Sequence, residues 1–179
     1  RELVQEGVEV VYPPVGVMIE LPAAVYQTSV LAKMVDFVSV GSNDLTQYLL
    51  AVDRNNPRVA SLYSAFHPAV IAALQQVVTL AKAEGKPVSI CGEMAGDPGA
   101  AVLLISMGYD VLSMNASTPL TVKSVIPSAS LDLAKDLLEQ AAELDDAPPT
   151  RRPTALAPAY AADGSFLPPS HTDHYPAPT

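Results

Sequence analysis

The sequence predicts a parallel α/β fold, half of an eight-stranded TIM-type (β/α) barrel over residues 1–147, followed by a disordered tail over residues 148–179. Three observations predict it. Between about Val8 and Ala147, short apolar runs alternate with longer stretches of helical spacing, as successive βα units do. The short runs are apolar at successive positions instead of alternating, as expected of parallel strands covered on both faces. There are four such units, whereas a complete barrel has eight and needs about 250 residues. An open four-stranded sheet is the alternative geometry, and the residues that follow the strands favour the barrel.

In chain order, strands are expected at Val15 to Ile19, Phe37 to Val40, Val88 to Cys91 and Val111 to Met114. Helices are expected at Ala23 to Met34, Pro68 to Ala83, Gly99 to Met107 and Leu131 to Leu144. Pro22 and Pro68 stand where a first helical turn tolerates a missing N–H, and Gly85 follows a helix end. Val70, Leu74, Val77, Val78 and Ala81 recur at three- and four-residue steps, which predicts one buried stripe. From about Pro148 the periodicity stops, prolines crowd together, and Arg151, Arg152, His171 and His174 stand among polar neighbours. Such a segment buries too little surface to offset its ordering entropy. His171-x-x-His174 without further ligands is too short a cue for a metal.

Composition narrows the function. Apolar residues make up 49% of the 179, enough for one core. The net charge of −9 disfavours a nucleic-acid partner, because neutralising phosphates needs an excess of Lys and Arg. Cys91 is the single cysteine, so no intrachain disulfide can form, and a cytoplasmic setting is expected. No apolar run reaches the roughly 18 to 20 residues that cross a bilayer, so no membrane span is expected. The chain opens at Arg1 without a signal-peptide plan or an initiator Met, and residues upstream of it are expected. Neither a Walker-type glycine loop nor a dinucleotide fingerprint occurs.

In a parallel barrel, chemistry gathers where strands end. The first run ends in Glu20, the second in Gly41-Ser42-Asn43-Asp44, the third in Cys91-Gly92-Glu93 and the fourth in Asn115. Neighbouring strands lie about 4.8 Å apart, so Glu20 and Asp44 can converge. Neither motif carries a basic partner, and a divalent cation would relieve their repulsion. Mg²⁺ fits best, since it takes one or two carboxylates and leaves room for water and phosphate. The plainer possibility is helix capping, Asp44 preceding the helical-looking Leu45 to Tyr48. Arg54 offers a planar guanidinium suited to phosphate, or a surface ion pair. Asn43 can donate an amide hydrogen bond to a phosphate oxygen. Most lone cysteines are inert core residues. At a strand end, however, a thiol with a pKa of about 8.5 is a reasonable acid for protonating a carbanion or enolate. Gly92, like Gly41, lets backbone and ligand approach closely. His67, before Pro68 at a helix start, reads as structural.

Three stretches carry a resemblance: Gly16 to Ala24, Val40 to Tyr48 and Ser89 to Asp97. They resemble the phosphoenolpyruvate-utilising enzymes, and Leu49 to Pro57 is most similar to Enzyme I of the phosphotransferase system, especially its nitrogen-related paralogue. The likeness spans about Val8 to Leu144. It implies the carboxy-terminal half of the barrel, with Glu20 and Asp44 holding Mg²⁺, Asn43 and Arg54 binding the phosphate of phosphoenolpyruvate, and Cys91 protonating the enolate to give pyruvate. It further implies phosphoryl transfer to a histidine of a separate amino-terminal domain and then to an HPr-like phosphocarrier, and homodimers. The family's substrate-clamping arginines, on earlier barrel strands, are not in this sequence, so the isolated chain is expected to be inactive. Pyruvate phosphate dikinase and phosphoenolpyruvate synthase share the barrel motifs. A magnesium-dependent pyruvate aldolase or lyase is a more distant alternative, and a non-catalytic binding or dimerisation module is another.

Overall fold

Short runs rich in Val and Ile, whose branched side chains suit a pleated surface, form strands β1 (Gly16–Ile19), β2 (Phe37–Gly41), β3 (Val88–Cys91) and β4 (Val111–Ser113). In the computed structural model, which describes residues 5–7, 9 and 11–128, they make one parallel sheet in the order β1-β2-β3-β4. The register runs Met18↔Ser39, Ser39↔Ser89 and Ile90↔Leu112. The expected helix at Leu131 to Leu144 and the expected tail lie outside the described residues.

The helices are α1 (Pro22–Tyr26), α2 (Thr28–Lys33), α3 (Ser42–Leu50), α4 (Pro68–Ala83), α5 (Glu93–Gly96), α6 (Pro98–Met107) and α7 (Pro119–Val125). The single helix expected over Ala23 to Met34 is broken at Gln27. Thr28 is fully buried, and its hydroxyl donates to the carbonyls of Ala24 at 3.1 Å and Val25 at 2.9 Å, a back-bond that bends helices. Helix α4 has the expected bounds, and all five residues of its predicted stripe are buried. The His67 ring caps it, Nδ1 accepting from the Ala69 N–H at 3.1 Å, which bears out its structural role. Asp97 does the same for α6, accepting from the N–H groups of Gly99 and Ala100. The last residue of the third motif therefore starts a helix.

Burial alternates along the strands, which corrects the expectation of two covered faces. Val38, Val40, Val88 and Ile90 point at the helices and are at most 1% exposed. They pack against α4 residues such as Leu74 and Val77, each buried Val or Leu contributing about 1.5–3 kcal/mol. On the opposite face, Met18 and Val111 are 49% and 54% exposed, with Ser39 and Ser89 between them in register. That face is open in the described chain.

At the amino ends of the strands the same clip occurs twice. Asp36, just before β2, accepts from the Val15 N–H at 2.8 Å while its own N–H donates to the Val15 carbonyl at 2.7 Å. Asp110, just before β4, accepts from the Val88 N–H at 2.7 Å and donates to the Val88 carbonyl at 2.9 Å. Lys82 at the end of α4 also donates to Asp110, and this bond, with the Val88 N–H, holds the carboxyl below its usual range. Tyr109 beside it is buried, its hydroxyl donating to the Leu74 carbonyl, and burial pushes its pKa far up.

Candidate functional site

Where β2 ends, the chain turns straight into a helix. Gly41 is the cap residue of α3, and Ser42, Asn43 and Asp44 form its first turn, so the helix begins ahead of the helical-looking Leu45 to Tyr48. No side-chain hydrogen bond caps this helix, which argues against the capping role for Asp44. An anionic side chain in a first turn also suits the helix dipole.

Two glycines leave room for their neighbours. A Cβ on Gly41 would come within 2.5 Å of Glu20 Oε1, so the Glu20 carboxylate reaches across from the end of β1 over the end of β2. Gly41 is the register partner of Cys91, which brings that carboxylate toward the thiol. A Cβ on Gly92 would meet Ser42 Oγ at 2.3 Å and Asn43 Oδ1 at 2.8 Å. Gly92 has φ 107° and ψ −179°, a conformation essentially restricted to glycine. Ser42 Oγ donates to the Cys91 carbonyl at 2.7 Å, and Asn43 Oδ1 accepts from the Glu93 N–H at 3.2 Å. With its oxygen so engaged, Asn43 keeps its NH₂ group for another acceptor.

Arg54 comes in from the segment after α3. Its backbone N–H donates to Gln47 Oε1 at 3.3 Å, and its guanidinium lies 3.7 Å from Asp44 and 3.9 Å from Glu93. The basic partner that the two motifs lack is therefore supplied from ten residues downstream of Asp44. Burial pushes the Cys91 thiol up, and the carboxylates of Glu20 and Asp44 push it further. All five predicted residues, Glu20, Asn43, Asp44, Arg54 and Cys91, are linked at one end of the sheet by these contacts and fields.

Sequence reasoning missed three contributors. Ser42 and Glu93 were quoted within motifs without a role. Tyr63, on the segment leading to α4, donates from its hydroxyl to the Asn43 carbonyl at 3.3 Å. Burial raises its pKa, the charges of Glu93 and Asp44 add to this, and Thr46 and Arg54 oppose it. Thr46 itself is fully buried, and its hydroxyl makes no hydrogen bond of ordinary geometry among the described residues. No periodicity or motif marks Tyr63, because a fold of the segment after α3 returns it to the site. A separate cavity of about 500 Å³, lined by Tyr109, Leu112, Met114, Val122 and Ile126 among others, lies beside the free edge of β4 and shares no residue with this constellation.

Residues 1–131 match the family described as PEP-utilising enzyme, PEP-binding domain. The chain belongs to this family. Over 149 residues, 83% of the chain, it is 43% identical to an Escherichia coli protein named phosphoenolpyruvate-dependent phosphotransferase system, of which it covers 20%. It is 46% identical over 127 residues to the phosphoenolpyruvate-protein phosphotransferase of Haemophilus influenzae, covering 71% of the chain and 22% of that protein. With the Enterococcus faecalis protein of the same name it shares 44% over 142 residues, 79% of the chain and 25% of that protein. The chain thus spans about a fifth to a quarter of these relatives. Within this PEP-binding domain, the oxygen donors Glu20 and Asp44 fit a hard divalent cation that takes one or two carboxylates. Among the described residues no group of three or more His, Cys, Asp or Glu side chains is arranged to hold a metal ion by itself. No helix among them is long and apolar enough to cross a membrane.

Proposed function

We propose that this chain is the phosphoenolpyruvate-binding part of a phosphoenolpyruvate-protein phosphotransferase. The observation that carries the reading is the constellation at one end of the sheet: a carboxylate pair, a guanidinium, an amide with a free NH₂ and a protonated thiol. Glu20 and Asp44 would hold Mg²⁺, whose charge would screen the substrate phosphate. Asn43 donates to a phosphate oxygen, and Arg54 exchanges its 3.7 Å contact with Asp44 for the phosphate. When the P–O bond breaks, the phosphoryl group leaves to a histidine of another domain, and the enolate of pyruvate remains. Cys91 delivers its proton to the methylene carbon, giving pyruvate. The upward push from burial and the two carboxylates supports this role, because it keeps the proton on sulfur at neutral pH.

The four-stranded sheet is read as the carboxy-terminal half of a TIM-type barrel. Its all-parallel sequential order, and the open face carrying Met18, Ser39 and Ser89, support that reading. The folded unit is placed at residues 1–147, with a tail at 148–179. The whole protein would act in the cytoplasm as a homodimer and pass its phosphoryl group to an HPr-like carrier. Isothermal titration of the chain with phosphoenolpyruvate, with and without Mg²⁺, tests the core of the proposal. Metal-dependent binding is expected; metal-independent binding, or competition by unrelated phosphates as strong as by pyruvate plus phosphate, would refute the assigned site.

A further inference from the structure

We infer that Ser42 is a positioning residue for Cys91, acting with Asn43 as a two-point clamp on the Cys91-Gly92-Glu93 backbone; its purpose rests on the proposed proton donation, but its geometry does not. Ser42 is 1% exposed, and its hydroxyl crosses from the first turn of α3 to the Cys91 carbonyl at 2.7 Å. A serine in a first turn ordinarily serves its own helix. Here α3 has no side-chain cap, and the hydroxyl serves the neighbouring strand instead. One residue on, Asn43 Oδ1 holds the Glu93 N–H. Between these two fixed points lies Gly92, whose missing Cβ is the space that both oxygens occupy.

The consequence follows from where the thiol hangs. Cys91 is the last residue of β3, so ladder pairing with Gly41 and Ser113 fixes its amino side while its carboxy-side peptide leaves the sheet. The Ser42 bond fixes that peptide as well. It thereby sets the direction of the Cα–Cβ bond and holds the thiol in a constant relation to Asn43 and Asp44, which belong to the same helical turn as Ser42. Proton delivery to a carbon needs such alignment, because a misplacement of about 1 Å can cost about a hundredfold in rate.

Cys91 is the chain's single cysteine, so its alkylation by iodoacetamide reports on this alignment without substrate. At one near-neutral pH, Ser42→Ala is expected to change the alkylation rate about three- to tenfold, the span of one neutral hydrogen bond. Ser42→Thr, which keeps the hydroxyl, is expected to restore it. Ser106→Ala removes another serine-to-carbonyl bond of 2.7 Å, inside α6, and is expected to leave the rate alone. An unchanged rate in Ser42→Ala, or an equal change in Ser106→Ala, overturns the clamp. Should Ser42→Ala not fold, hydrogen exchange in the unaltered chain decides: the Glu93 amide is expected to be protected although its side chain is 80% exposed, and fast exchange there overturns the clamp. In the whole protein, deuterium exchange of the pyruvate methyl group, followed by NMR, separately reports whether Cys91 moves protons. A clamp that passes with no such exchange would leave the positioning intact and remove the proton-donor reading.

Discussion

Replacing Gly92 by alanine isolates the junction on which the site depends. Two costs add. At φ 107° and ψ −179° any residue with a Cβ occupies a region essentially reserved for glycine, at a cost on the order of 1–3 kcal/mol. The new methyl would also overlap Ser42 Oγ at 2.3 Å and Asn43 Oδ1 at 2.8 Å. Displacing Ser42 Oγ breaks its buried bond to the Cys91 carbonyl, a further loss of about 1 kcal/mol. The sum is about 2–4 kcal/mol, which for a chain of this size lowers Tm by roughly 5–15 °C.

Gly85→Ala provides the comparison. Gly85 also has a positive φ, of 68°, but no atom lies within 4 Å of the added Cβ, so only the left-handed backbone cost of about 1–2 kcal/mol applies. Thermal unfolding of both variants by circular dichroism measures the difference. Gly92→Ala is expected to lose about twice as much as Gly85→Ala. Equal losses would show that Ser42 and Asn43 yield freely, and the close approach of the two motifs would then have no energetic weight.

Glu20→Ala is expected to weaken the Mg²⁺ dependence of phosphoenolpyruvate binding by about tenfold or more, as loss of one of two charged ligands should; titration with unchanged metal dependence would remove Glu20 from the metal. In the whole protein, Cys91→Ala is expected to abolish deuterium exchange of the pyruvate methyl group while sparing Mg²⁺-dependent phosphoenolpyruvate binding, and loss of both together would make Cys91 structural. Asp110→Asn probes the lower clip. Because the folded carboxyl titrates below its unfolded value of about 3.9, its stabilisation is present above that pH and is lost as pH falls through the folded pKa. Its side chain is 40% exposed, so the loss near neutral pH should stay below about 1 kcal/mol. Urea unfolding of the two proteins should give curves that converge below about pH 4, and a constant gap down to acid would contradict the assignment.

The parts of the fold that the sequence disclosed were those with long or strongly patterned signals. Helix α4 has 16 residues and several turns of apolar repetition, and its bounds were read without error. Helix α7 was missed because Pro119 to Val125 is short and rich in Thr, Val and Ser, residues of low helix propensity. The break at Gln27 was hidden because it depends on where the Thr28 hydroxyl points, and periodicity carries no such information. Glu20, Asn43, Asp44 and Cys91 were visible through their chemical types at or just after strand ends. Ser42 and Tyr63 were not, since their partners lie 49 and 20 residues away. Arg54 was legible as a residue, but its approach to Asp44 and Glu93 depends on the path of the segment that carries it.

The two ends of this sheet divide the work of the molecule. At the amino ends, Asp36 and Asp110 each pair both ways with the backbone of an adjacent segment, and Lys82 reinforces the second clip. Each of these carboxylates is committed to a backbone N–H that fastens one segment to the next. At the carboxy ends, the backbone bonds between motifs are made by Ser42 and Asn43, small neutral side chains. That choice leaves the charged groups nearby, Glu20, Asp44 and Arg54, outside the fastening. The Arg54 guanidinium is held by long contacts of 3.7 and 3.9 Å, which a phosphate can replace at little loss. A parallel sheet places all its carboxy ends on one side, so this separation lets rigid junctions and exchangeable charges occupy the same rim. The constraint falls on Gly41 and Gly92, since Glu20 can lie over β2 only where Gly41 has no side chain, and the Ser42 and Asn43 bonds can reach β3 only where Gly92 has none.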